Sequence, residues 1–193
     1  MKKILFVNSC IREEDSRTLR IARSILQSIE KEVVIEEINL NKLPLIPYNN
    51  ASFNDMSRCG PNPLYVDIAH KVADCDILFI ATPFWDMGIP GLLKTFLEKL
   101  SLNEITFKDN GNTCVGICKC EHIFYVTTRG MDIPDGSELE QASPYLKAVG
   151  HLWGIEKLSM VSAWNMDYIS EEEQEEKIKA ASKRGQELIR GLL

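Results

Sequence analysis

The chain has no run of lysines and arginines, and its 22 basic residues are outnumbered by 28 acidic ones, for a net charge of −6. A nucleic-acid backbone is gripped by clustered cations, so this balance speaks against nucleic acid as a partner. No apolar run approaches the roughly 20 residues that a membrane-spanning helix requires. Met1-Lys2-Lys3 leads straight into Ile4–Val7, which is too short for the apolar segment of a signal peptide and reads as a first strand. A cytoplasmic protein with no membrane partner is expected. The common phosphate signatures are also missing: there is no G-x-G-x-x-G and no G-x-x-x-x-G-K-[ST]. Only three histidines occur. His122, at a strand start, and His151, near a helix end, are assigned to structure. The spacing Cys114-x3-Cys118-x-Cys120 fits no usual zinc or iron–sulfur pattern. Alternation on an extended segment would put these three on one face, and they are expected as buried free thiols, with metal binding or redox sensing as the alternative; none of the six cysteines is needed for a disulfide staple.

What is present is a core. With 193 residues, 45% of them hydrophobic, the chain suits one globular domain spanning 1–193. Apolar runs at Lys3–Asn8, Glu32–Leu40, Ile77–Ala81, Glu121–Thr127 and Glu156–Ser162 read as strands. Helical spacing marks Ser16–Glu30, Leu64–Ala73, Gly91–Leu100, a helix opening at Ser137-Glu138-Leu139-Glu140, and a last one opening at Ser170-Glu171-Glu172-Glu173 and running to about Leu193. Both tetrapeptides have the capping-box form, and Asp15 or Ser16 caps the first helix. The prolines and glycine of Asn41–Pro63 suggest a long irregular connection. Asn103–Asn112 is turn-rich and Thr113–Ile117 a short extended piece. Strict β-α alternation implies an α/β fold, a doubly wound parallel five-stranded sheet with helices on both faces. The common order is 2-1-3-4-5, with the ligand at the switch point between the first and third strands.

Two loops at that edge carry chemistry. After the first strand come hydroxyls at Ser9, Ser16 and Thr18 and guanidinium groups at Arg12 and Arg17, around a helix start whose free N–H groups favour an anion. Glu13, Glu14 and Asp15 oppose that anion or pair with the arginines. After the third strand come Pro83, Phe84, Trp85, Asp86, Met87 and Gly88, with two large aromatics where open α/β sheets place ligands. A phosphate site beside a flat-ring site describes a flavin mononucleotide.

The stretch from Thr82 to Leu100 resembles the third-strand signature of the flavodoxin-like NAD(P)H quinone reductases and FMN-dependent azoreductases, with Pro83, Pro90, Leu93 and Lys94 matching. Tyr125-Val126-Thr127-Thr128-Arg129-Gly130 is similar to that family's Ser/Thr-Arg-Gly-Gly loop, and Ser9 with Ser16-Arg17-Thr18 to its phosphate loop. Ser143–Leu146 and Gly150–Gly154 resemble its fourth helix and that helix's end.

The resemblance implies FMN, reduced by NADH or NADPH, in a homodimer. It implies Ser9, Ser16, Arg17 and Thr18 at the phosphate, and Pro83, Phe84, Trp85, Asp86 and Met87 along the isoalloxazine. Thr128, Arg129 and Gly130 would lie at the pyrimidine edge. No catalytic side chain is needed, since the flavin N5 carries the chemistry. The activity implied is ping-pong reduction of a small quinone, azo or nitro acceptor. The alternative is a flavodoxin-like carrier passing single electrons to a protein. Met131, in place of a second glycine, and the carboxylate of Asp86 depart from the family pattern.

Overall fold

The computed structural model describes residues 1–193. Five parallel strands form one sheet: β1 (Lys2–Asn8), β2 (Val33–Asn39), β3 (Ile77–Ala81), β6 (His122–Thr128) and β7 (Lys157–Ala163). Their order is β2-β1-β3-β6-β7. Counting sheet strands alone, this is the expected 2-1-3-4-5. Two short strands, β4 (Phe107–Asp109) and β5 (Cys114–Gly116), form a separate antiparallel hairpin, so the turn-rich segment and the extended piece after it are its two arms.

The helices are α1 (Arg17–Gln27), α2 (Asn50–Cys59), α3 (Pro63–Asp74), α4 (Gly91–Leu100), α5 (Ala142–Trp153) and α6 (Glu171–Leu192). Helices α1 and α6 cover one face of the sheet; α3, α4 and α5 cover the other. The sheet is thus buried on both sides, which is why β3 and β6 are apolar or buried throughout. Under α1 and α6, Phe79 stacks on Phe124 with centroids 5.0 Å apart, and Phe6 meets Phe79 edge-on at 5.5 Å. Under the opposite helices, Trp153 is fully buried and its indole N–H donates to Ser101 Oγ at 3.1 Å.

Three local expectations are corrected. Asn41–Pro63 is not irregular throughout, because it holds α2. The signal there is polar: Asn49 accepts from the Ser52 N–H while Ser52 Oγ accepts from the Asn49 N–H, a reciprocal cap. No residue of α2 is buried, so its apolar residues, Phe53 and Met56 among them, do not pack into the core. The second correction concerns Ser137–Glu140, which forms a turn rather than a helix start. Helix α5 begins at Ala142, where the buried Glu140 carboxylate accepts from the Ala142 N–H (3.0 Å), the Ser143 N–H (2.9 Å) and the Ser143 hydroxyl. The acid read as the far end of a capping box is itself the cap. Third, the six cysteines are free thiols, but Cys59 and Cys114 are exposed and Cys118 only half-buried. Cys114 and Cys120 therefore do not share a buried face.

Other expectations hold. Ser16 caps α1 and Ser170 with Glu173 caps α6. His122 Nε2 lies 2.9 Å from Ser159 Oγ, and the exposed His151 lies 3.3 Å from Glu156.

Candidate functional site

The loops leaving β1, β3, β6 and β7 meet at the carboxyl edge of the sheet. The first is turned by Asn8, whose Oδ1 accepts from the Cys10 N–H at 3.0 Å. Ser9 is tied to β3 by its N–H donating to the Ala81 carbonyl at 2.9 Å. Its hydroxyl is completely buried and has no hydrogen-bond partner. That is an unusual debt for a side chain that could as well have been alanine. Cys10 lies buried beneath the loop, and desolvation raises its thiol to about 11, so it stays protonated. Ser16 Oγ accepts from the Leu19 N–H at 3.2 Å and opens α1. The Thr18 and Thr128 hydroxyls lie 2.7 Å apart, joining the first turn of α1 to the end of β6.

Arg17 is not a free cation. It donates to the Met166 carbonyl at 2.7 Å and to Asp167 Oδ1 at 2.6 Å, pinning the β7–α6 loop against α1. Arg129 also differs from expectation. Its side chain is fully buried and donates to the Ile133 carbonyl and the Asp135 carboxylate, so its guanidinium organises the β6–α5 loop from within. Asp135 in turn accepts from Ser162 on β7.

After β3 the chain continues beside β6: Thr82 N–H donates to the Val126 carbonyl at 3.1 Å and Phe84 N–H to the Thr128 carbonyl at 3.3 Å. Pro83 is half-buried and Phe84 buried. Trp85 and Gly88 exchange both backbone hydrogen bonds, at 3.0 and 2.9 Å, around a two-residue turn. Its central residues, Asp86 and Met87, have φ of 48° and 65°. Such a turn demands left-handed backbone, which Asn and Gly adopt most cheaply. Here Asp and Met hold it, leaving Trp85 standing out at 44% exposure.

The β6 and β7 loops run against each other. Met166, Asp167 and Asn165 donate their N–H groups to the carbonyls of Arg129, Gly130 and Met131. A Cβ at Gly130 would fall 1.9 Å from Asp167 Oδ2, so a larger residue here would force the Asp167 carboxylate to move.

Between these loops lies a cleft of about 330 Å³, walled by Phe84–Met87 on one side, Gly130 and Met131 on another, and Asp167 on the third. A larger depression, about 660 Å³, lies at the ends of β1 and β2, lined by Glu13, Glu14 and Glu37 with Arg23, Lys42 and Lys71. It contains no aromatic ring, so of the two only the smaller cleft offers a stacking surface. Of the residues expected at the ring, Phe84, Trp85, Asp86, Met87 and Gly130 line this cleft, whereas Pro83, Thr128 and Arg129 do not. Asp167 was missed, because it belongs to no motif. The one signal for it was position: Asn165-Met166-Asp167 follows the fifth strand at the edge where ligands bind.

The profile of a family described as having a flavodoxin-like fold matches residues 2–189. An FMN-dependent NADH:quinone oxidoreductase of Coprothermobacter proteolyticus is 27% identical over 201 residues, covering 98% of this chain and 99% of its own length. An enzyme of the same name from Clostridium perfringens is 25% identical over 192 residues, covering 94% and 96%. An FMN-dependent NADH-azoreductase of Bacillus anthracis, solved in complex with FMN, superposes with a TM-score of 0.81 at 19% identity, covering 97% of this chain and 99% of that one. A second azoreductase structure from that species gives 0.78 at 21% identity, covering 97% and 98%.

Proposed function

Because the chain belongs to the flavodoxin-like fold family, we propose that it is an FMN-dependent NADH oxidoreductase acting on quinone- or azo-type acceptors. The observation that carries the reading is the buried, unpartnered Ser9 hydroxyl beside the capped start of α1, one loop away from a cleft walled by Trp85. A phosphate oxygen at the helix start would satisfy that hydroxyl, and the dipole there favours negative charge. The residues fit FMN. Ser9, Ser16 and Thr18 would hold the phosphate, while Phe84–Met87 with Gly130 would border the ring. Arg17 and Arg129 serve as positioning residues, each fixing a loop that walls the cleft.

Bound FMN would supply hydride acceptance from NADH and two-electron delivery to the acceptor. The chain's part is to position the ring, leave one face open and set the local charge with Asp86 and Asp167. One open face cannot hold donor and acceptor together, so exchange is ping-pong. NADPH is the weaker donor in this reading, since the relatives above are named for NADH. A homodimer completes the shallow cleft. Helix α2, with no buried residue and Phe53 at 54% exposure, is an apolar-bearing surface suited to a two-fold contact.

The test is reconstitution. Protein incubated with FMN and desalted should retain the yellow chromophore, bleach on anaerobic addition of NADH, and consume NADH in air-free turnover with a neutral quinone. Failure to retain FMN, or retained FMN that NADH does not reduce, refutes the reading.

A further inference from the structure

The cysteines at the opposite edge of the sheet have no part in this chemistry. β3 and β6 pair with Ile77 opposite His122, and Cys75 and Cys120 each stand two residues before that pair, just ahead of the two strands. The Lys119 N–H donates to the Ala73 carbonyl at 2.7 Å and the Glu121 N–H to the Asp76 carbonyl at 3.2 Å, so backbone bonds bracket the two cysteines. Neighbouring strands run about 4.8 Å apart. That falls within the roughly 4.4–6.8 Å between Cα atoms that a disulfide spans. Both side chains belong to the same buried cluster, at 4% and 2% exposure. A cavity of about 300 Å³, lined in part by Lys3, His70 and Lys71, opens onto Cys75. A small oxidant can therefore approach from the Cys75 side, although both thiols are buried from bulk solvent.

We propose that Cys75 and Cys120 form a reversible dithiol–disulfide pair, an oxidative modification site that cross-links β3 to β6 at the amino-terminal edge. The oxidant class is a hydroperoxide. One sulfur attacks the O–O bond, becoming a sulfenic acid and releasing the alcohol, or water from hydrogen peroxide. The second sulfur then displaces the sulfenic oxygen as water. Two thiol protons and two electrons leave the protein, and one S–S bond forms. The Cys75 thiol donates to the Val72 carbonyl at 3.3 Å and the Cys120 thiol to the His122 carbonyl at 3.7 Å. The neighbouring Cys120 raises Cys75 while Cys75 lowers Cys120, which makes Cys120 the readier nucleophile of the two. The half-buried Cys118 is raised by burial to about 12, which leaves it the poorer competitor.

The bland alternative is that both are small apolar core residues, and the wild-type protein distinguishes the two. Fully reduced protein is treated with hydrogen peroxide, quenched, alkylated under denaturing conditions and digested without reduction. The expected result is two of the six thiols lost, two hydrogens lost from the intact mass, and a linked peptide pair containing Cys75 and Cys120, all reversed by dithiothreitol. The oxidised form should unfold at higher denaturant concentration than the reduced form, a shift absent from Cys75→Ala and Cys120→Ala. Oxygen added at exposed Cys59 or Cys114 while Cys75 and Cys120 remain alkylatable would overturn the proposal. So would a link made through Cys118, or a wild-type protein that emerges with all six thiols intact.

Discussion

A single hydroxyl decides how the first loop is read. Ser9 Oγ is buried without a partner, which costs the unliganded protein on the order of 1 kcal/mol. Ser9→Ala should therefore leave the unliganded protein as stable or slightly more so. It should weaken FMN about 10-fold, the equivalent of one hydrogen bond to a charged oxygen. Thermal melts beside FMN titration check this, and equal FMN affinity in mutant and parent would place the phosphate elsewhere. Replacing both Ser16 and Thr18 with alanine should weaken FMN further, with some loss of stability because Ser16 also caps α1. Asp86 and Asp167 line the cleft proposed for the ring instead. Negative charge there disfavours the reduced anion. Asp86→Asn should raise the flavin midpoint potential by on the order of 30 mV, a tenfold change for a two-electron couple. An unchanged potential in dye-equilibration titrations would show that this carboxylate faces away. The hydroxyls, aromatics and glycine of the candidate site were named from sequence by residue type and loop position. The partners of Arg17 and Arg129 could not. An arginine beside a phosphate and an arginine pinning a loop look alike until Asp167 and Asp135 are brought to them by the fold.

At the level of elements, strands and long helices were legible because burial on a regular surface leaves a period in the sequence. Helix α2 was hidden among the prolines and glycine that flank it, Pro44, Pro47, Gly60 and Pro61, and it packs none of its residues into the core. The start of α5 was misplaced because Ser137-x-x-Glu140 has the capping form, while the fold uses Glu140 against the N–H groups of Ala142 and Ser143. Three bonds to one buried carboxylate make Glu140→Ala a costly change, about 2–3 kcal/mol in denaturant unfolding, with Glu140→Gln recovering part of it. A cost under 0.5 kcal/mol would return the cap to Ser137. Strand β6 carries the pH-sensitive element. Burial, then the charges of Lys157 and Lys2, lower the His122 pKa below its usual 6.5. In the unfolded chain this histidine takes its proton first as pH falls. Stability should therefore decline as pH drops below about 6.5 and level off beneath the folded pKa. His122→Gln, able to keep a bond to Ser159, should flatten that part of the stability–pH curve. An unaltered slope would assign the decline to other groups.

For the molecule as a whole, sheet order was legible only as the commonest solution for five alternating strands, since no residue encodes which strand lies beside which. The structure realises it, and the order places the β3 and β6 loops side by side at one edge, with the β1 and β7 loops flanking them. This edge is acidic. Asp86 and Asp167 wall the cleft, Glu13, Glu14 and Asp15 sit on the adjoining loop, and the nearest guanidinium groups, Arg17 and Arg129, are already paired. With a net charge of −6, the field at the mouth of the cleft attracts cations and repels anions. Among acceptors of matched potential, one bearing a quaternary ammonium should therefore show a higher kcat/KM than a neutral quinone, and a sulfonated one a lower value. The spread should be about 10-fold at low salt, narrowing as ionic strength shortens the screening length. Asp86→Asn combined with Asp167→Asn should shrink it further. Turnover of the neutral quinone gauges the activity itself, so its loss would count against the oxidoreductase reading and not against the charge argument. Equal kcat/KM for cationic and anionic acceptors at low salt would mean that acceptors enter along a path these carboxylates do not face. Parallel double-reciprocal lines across the series would add that donor and acceptor share one exposed face in turn, whereas intersecting lines would require room for both at once.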